Sequence, residues 1–334
     1  MQILVDGFGT SIRKTSERLV VRDKDKKIIQ EVPFFDLDDI LILSRGITLS
    51  SDVIESCAEQ GIQIHFLTSQ GRPFAKLVSP GLQATVATRR AQISAYEDGR
   101  GVEISKLFVG AKLRAQLNLV KYWAKNRRGQ DIAGQLKRAA DKIEERIAEL
   151  EGIDGARIEE IRQTIMSCEG RAASVYWEVV KALVPDALGF TSRDHRGAQD
   201  PVNAVLNYGY GILKSEISKV VLLAGLEECA GFLHADRSGR PSFVLDFMEE
   251  FRQPIVDRPL ISLLNKGFTP VVKDGALSGD TRRTISQAIQ ERLEGKDRYE
   301  GRRCQLRTIV QRQAHHLATY FRGERNYKPF VWSW

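Results

Sequence analysis

The chain is poor in cysteine: four in 334 residues (Cys57, Cys168, Cys229 and Cys304), far apart and with no CxxC pair. That excludes a disulfide framework and a cysteine-based zinc site, and leaves reduced thiols. No apolar run is long enough to span a bilayer, and "MQILVDGFGTSIRKT" lacks the central apolar region of a secretory signal. Neither "DGFGTS" nor "GDTRRT" matches a P-loop or a dinucleotide fingerprint, so no nucleotide cofactor is expected. Internal repeats and low-complexity tracts are missing too. What remains is a cytoplasmic globular protein of ordinary composition, long enough for two domains.

Acid is the next absence. From Ile104 to Arg128 there are seven basic residues (Lys106, Lys112, Arg114, Lys121, Lys125, Arg127, Arg128) and no Asp or Glu. From Gly301 to the end seven more stand against Glu324 alone, while the whole chain carries +7. Charge concentrated in this way suits a polyanion, because neutralising phosphates releases condensed counterions. A solvated helix face is the plainer reading of either cluster.

The first eighty residues read as strands with one helix. "RLVVRDKDKKIIQEV" is a hairpin, "DDILIL" and "GIQIHFLT" are further strands, and "LSSDVIESCAEQG" is a short capped helix. From about residue 85 the spacing turns helical. Leu113, Leu117, Val120 and Ala124 make one apolar stripe, with Arg114, Lys121, Lys125 and Arg128 along a neighbouring face. "EGIDG" reads as a turn between two amphipathic helices, and "RNYKPFVWSW" as a Pro-broken, non-helical tail. The fold class expected is α+β: a small β-rich domain over 1–85, then a larger all-α domain over 86–334.

Three segments of the helical part carry candidate chemistry. In "MSCEGRAASVYW", Glu169 stands by the apolar side of a helix; "GLEECAGFLH" reads as an apolar helix ending in His234; "SFVLDFMEEFR" places Asp246, Glu249 and Glu250 at i, i+3 and i+4. A buried acid needs a cation, a metal or a donor. One His with carboxylates from three helices is a hard-ligand set suited to Mg²⁺ or Mn²⁺. A capped helix end, or ion pairs with Arg240 or Arg252, would account for the same residues. His65 reads as a structural strand residue, and adjacent His315 and His316 cannot chelate together. In "DPVNAVLNYGYGIL" Asp200 and Pro201 start a helix, and Tyr210 reads as packing.

"CEGRAASVYW", "DPVNAVLNYGYGIL", "GLEECAGFLHADRSGRPSFVLDFMEEFRQPIVDR" and "GIQIHFLTSQGRPFAKL" together resemble the CRISPR-associated adaptation integrases, the Cas-one family, over nearly the whole chain. The resemblance implies a β domain that forms a homodimer and an α domain holding one divalent ion. It places the catalytic, metal-holding residues at Glu169, His234 and Glu249, with Asp246 orienting them or serving as an alternative ligand. Glu250, directly after, leaves open which neighbour ligates. The implied activity joins prespacer DNA to the CRISPR array by 3′-hydroxyl attack on phosphodiesters, and can cleave DNA. Asn207 and Tyr208 would position DNA, with Arg114, Lys121, Lys125 and Arg128 gripping phosphates. A small companion of the Cas-two family would bridge two integrase dimers. A catalytically silent DNA-binding scaffold and a general branched-DNA repair nuclease are the competing readings.

Overall fold

A computed structural model describes residues 1–79, 86–127, 129, 131–195, 200–273 and 275–333. The expected domain boundary at residue 85, and Arg128, lie outside the described residues.

Strands β1 (Gln2–Val5), β2 (Ser11–Thr15), β3 (Arg18–Arg22), β4 (Ile28–Pro33), β5 (Asp39–Ile42) and β6 (Thr48–Leu49) precede helix α1 (Ser51–Glu59). Strands β7 (Gln63–Leu67) and β8 (Pro73–Leu77) follow it. They make two four-stranded sheets, β4-β3-β2-β6 and β1-β5-β7-β8. In the second sheet β1, β5 and β7 run parallel, and β8 closes the edge antiparallel. Parallel strands covered on both faces read as unbroken apolar runs, which is why "DILIL" does not alternate. Ile40, Ile42 and Ile64 pack into a core with Val53 and Cys57 of α1. Leu41, Leu43 and Leu67, on the opposite face, join the core of the helical part.

The same second face carries Asp39 and His65. Asp39 meets Lys219 at 3.5 Å and Arg307 at 3.7 Å, and the buried Glu216 accepts from Lys219 at 3.0 Å. Two acids and two cations thus join the sheet to the helices with their charges balanced, which unpaired burial would not permit.

The helical part contains α2 (Val86–Ser94), α3 (Gly99–Lys125), α4 (Ile132–Glu151), α5 (Ile158–Leu183), α6 (Pro201–Leu223), α7 (Ser242–Met248) and α8 (Arg258–Asn265). Helices α9 (Gly279–Glu294) and α10 (Leu306–Phe321) follow. Two short hairpins interrupt it: β9 (Val272–Lys273) with β10 (Ala276–Leu277), and β11 (Lys296–Tyr299) with β12 (Arg302–Gln305). The architecture is therefore strand sheets followed by a mostly helical region, as the sequence predicts. Asp98 caps α3 by accepting from Arg100 N at 2.9 Å, and Asp200 caps α6 by accepting from Asn203 N at 2.8 Å with Pro201 next. Among the described residues, no helix is long and apolar enough to cross a membrane.

Helix α6 is the central strut. A Cβ on Gly211 would lie 1.5 Å from the carbonyl oxygen of Gly71, at the turn between β7 and β8, so that turn rests on bare helix backbone. A Cβ on Gly209 would meet Leu260 and Val256 on the other side. The glycines of "NYGYG" are contact glycines of a packed helix.

Two elements differ from their sequence readings. The helix of "SFVLDFMEEFR" stops at Met248, before Glu249 and Glu250. "GLEECAGFLH" is not a helix: α6 ends at Leu223, Gly225 takes φ +73°, and residues 224–241 form turns up to α7. What holds this segment is side-chain chemistry. Asp246 accepts from the backbone N–H groups of Phe232 (2.6 Å), Leu233 (3.0 Å) and His234 (3.0 Å).

Candidate metal centre and nucleic-acid cleft

Glu169, His234 and Glu249 line one cleft of 610 Å³, walled by α3, α5, α6, the 231–240 segment and the end of α7. Glu169 projects from mid-α5, where Gly170, Ala173 and Ser174 leave room on the cleft side. His234 arrives from the irregular segment, so the three residues come from two helices and a loop instead of three helices. Glu249 caps α7 just before a single π-helical turn, Arg252–Asp257, that re-aims the chain.

Asp246 and Glu250 are resolved by their partners. Asp246 is fully buried, and besides the three backbone N–H groups its Oδ1 lies 2.6 Å from Nδ1 of His234. It orients the histidine and has no face toward the cleft. Glu250 points away, accepting from the Tyr327 hydroxyl, from Phe330 N at 2.9 Å and from Gln313 Nε2 at 3.3 Å. Burial pushes its carboxyl up to about 8 despite those donors. Glu250 anchors the C-terminal tail, and Glu249 is the cleft residue.

The cations were less legible. Lys112, counted in the sequence among the surface charges of α3, is 13% exposed and faces the cleft. Its ammonium pairs with Glu169 and lies 2.7 Å from Glu249 Oε2, which Arg252 Nε also reaches at 2.9 Å. Burial pushes the Glu249 carboxyl up, but Arg252, Lys112 and His234 outweigh it and bring it down to about 2. The ion pair with Arg252 anticipated from sequence thus exists, inside the same cleft. Among the described residues, no three His, Cys, Asp or Glu side chains converge on a common point as a metal would need. The two carboxylates converge on the Lys112 ammonium instead. The donors fit a hard divalent ion in kind: two carboxylates already share one cation, beside an imidazole whose Nδ1 is held by a carboxylate.

Around this core stand further residues, of which the sequence reading passed over Arg193 and His195. Arg193 is held by Asn203 Oδ1 at 2.8 Å and Asn207 Oδ1 at 2.6 Å, over the rings of Trp177 and Tyr210. Arg252 also lies over the Tyr210 ring, 4.9 Å from its centroid. Tyr210 donates to the buried Asp257, as does Tyr176 at 2.8 Å. His195 and Arg240 complete the cleft wall. Asn207 therefore acts on the cleft through Arg193. Tyr208, expected at DNA, has no exposed surface and packs under Gly71; Tyr210, expected to be packing, is the one at the cleft. Asn203, Asn207 and Tyr210 sit at i, i+4 and i+7 on one face of α6, whereas Tyr208 lies about 100° from Asn207. That spacing was the available signal.

The surface charges of α3 are partly spent within the fold. Arg114 pairs with Glu151 at 2.6 Å and Lys121 with Glu144, both acids of α4. Lys125 is exposed, with no ion pair seen among the described residues. A local count of acids could not register those supplied by the next helix.

The protein-family model for CRISPR associated protein Cas1 matches residues 3–291. A CRISPR-associated endonuclease Cas1 of Archaeoglobus fulgidus is 35% identical over 350 aligned positions, covering 100% of both chains. Among solved structures, a casposase bound to integration product superposes with TM-score 0.83 at 23% identity, covering 99% of this chain and 93% of that one. A chain of a Cas6-RT-Cas1–Cas2 complex gives 0.80 at 19%, covering 100% of this chain and 36% of that one. At those identities the structural likeness is one of fold. With the family model spanning most of its length and a relative alike from end to end, this chain belongs to the Cas1 family of CRISPR-associated proteins.

Proposed function

We propose that this Cas1 chain is a metal-dependent DNA integrase and endonuclease of CRISPR adaptation. The observation that carries the reading is the meeting of Glu169 and Glu249 on one buried cation beside the Asp246-held His234. Mg²⁺ or Mn²⁺ held by Glu169, Glu249 and Nε2 of His234 would polarise a phosphodiester and lower the pKa of the attacking hydroxyl.

The chain's own groups do the rest. Asp246 keeps the imidazole proton on Nδ1, so Nε2 retains its lone pair. Arg252, braced against Tyr210, keeps Glu249 ionised and aimed into the cleft. Arg193, Arg240 and His195 offer donors to the phosphate oxygens of bound DNA. In the joining reaction a prespacer 3′-oxygen bonds to phosphorus as the 3′-oxygen of the flanking strand leaves and takes up a proton. One phosphodiester is exchanged for another, so no energy source is required. Water in place of the hydroxyl gives cleavage.

The exposed Phe8, Phe35, Ile29 and Phe74 of the N-terminal half favour a homodimer through the 1–85 domain, leaving 86–334 to hold the cleft. The neighbour solved as a Cas6-RT-Cas1–Cas2 complex favours a small Cas2 companion, and a chromosomal array as substrate would favour the cytoplasm.

A half-site integration assay with Mg²⁺, Mn²⁺ or chelator tests the reading. Glu169→Ala and His234→Ala should lose joined product while keeping DNA affinity. A variant that still joins DNA overturns it. Wild-type protein that binds DNA but neither joins nor cuts with any divalent ion would be a scaffold, and cutting of branched DNA without joining would indicate a repair nuclease.

A further inference from the structure

The two acids assigned above to a metal are already bridged, and the bridge is a lysine. Lys112 reaches across from α3 and places its ammonium between Glu169 of α5 and Glu249 at the end of α7. Helix α3 turns a largely apolar face inward here, with Val109 and Gln116 beside Lys112 on the cleft wall. A charged lysine on such a face requires an anionic partner, and this one has two.

We propose that Lys112 is a resident counter-cation that competes with the divalent ion for Glu169 and Glu249, and must withdraw before those acids and His234 share one ion. The inference rests on the metal reading above. Among the described residues the acidic and imidazole donors do not yet converge, and the group lying between the two acids is this ammonium.

The other cation on Glu249 is built differently. Arg252 is stacked over Tyr210 and adjoins the buried Asp257 network, so its planar head is fixed. Lys112 is a point charge on a flexible four-carbon stem, and the cleft in front of it is open enough to receive it. Arg252 is the permanent partner of Glu249 and Lys112 the exchangeable one. The ammonium keeps two carboxylates from facing each other in a poorly solvated wall, and it weakens the site for any cation that would replace it.

The test uses full-length, metal-stripped protein and Mn²⁺ alone, with free Mn²⁺ read by electron paramagnetic resonance. Lys112→Met should bind Mn²⁺ on the order of tenfold tighter than wild type, because one positive charge has left the site; Lys112→Arg should stay near wild type. Without metal, Lys112→Met should melt a few degrees lower, with Mn²⁺ restoring the difference. Equal or weaker Mn²⁺ binding by Lys112→Met overturns the proposal. Glu169→Gln separates the two readings. If it binds Mn²⁺ as well as wild type, the metal assignment itself fails; if it binds more weakly while Lys112→Met is not tighter, only the lysine's role fails. Wild-type protein gives an independent arm: acylation of Lys112 by an amine-selective reagent, read by mass spectrometry, should rise severalfold at saturating Mn²⁺. Unchanged labelling would overturn the exchange.

Discussion

Nδ1 of His234 lies 2.6 Å from Oδ1 of Asp246, and the same carboxylate gathers the backbone N–H groups of residues 232 to 234. One side chain thus folds the loop that carries the histidine and also sets its ring. Asp246→Ala leaves several buried donors without an acceptor, each costing about 1–3 kcal/mol. Asp246→Asn keeps the volume but not the ring contact, and Mn²⁺ affinity should fall roughly 10- to 100-fold. Chemical denaturation and Mn²⁺ titration of the two variants separate the folding role from the orienting one.

His65 makes stability depend on pH. Burial, aided by Lys219 and opposed by Glu216, pulls its imidazole down to about 4. The unfolded chain takes up a proton below about 6.5, the folded chain only near 4. Stability is therefore complete above about 6.5 and declines as pH falls through this window, by about 3 kcal/mol in all. Urea denaturation at pH 7 and at pH 4.5 should show a smaller loss for His65→Leu than for wild type. An equal loss would mean the histidine does not remain neutral.

The C-terminal tail is part of the core. Trp332 is 1% exposed, its carbonyl accepts from Asn118 Nδ2 at 2.7 Å, and Arg258 lies over its ring at 4.8 Å. Trp332→Ala should cost about 3–5 kcal/mol, and Tyr327→Phe about 1–3 kcal/mol by removing a donor from buried Glu250. Denaturant midpoints measure both.

Lys121 and Lys125 make a matched pair for testing the proposed DNA contact of α3. Both are exposed, but Glu144 pairs with Lys121, whereas Lys125 has no ion pair among the described residues. Lys125→Glu should weaken duplex binding and lower the salt slope by about one unit, with Lys121→Glu having a smaller effect. Equal effects would show that DNA draws Lys121 away from Glu144.

Where local pattern and tertiary demand coincide, the sequence is informative. Asp200 and Pro201 start α6, the run of β5 is apolar because both faces are covered, and Glu169 sits in its helix as its spacing implies. The rest depends on partners distant in the chain. Lys112 is indistinguishable from its basic neighbours until α5 and α7 bring acids to it. The loop at 231–234 follows apolar residues with helical spacing, yet Asp246 offers its N–H groups a better acceptor than a helix would. Glu249 and Glu250 are adjacent and chemically alike; only the tail, docking on one of them, tells them apart.

The bare-backbone contact between Gly211 and Gly71 has a mechanical consequence. With no side chain between them, the tip of the β7–β8 hairpin rests directly on the helix behind the cleft, so a shift of either backbone presses on the other. Should two copies pair through their sheets, this seam would pass a displacement of one sheet straight to the helix lining the cleft.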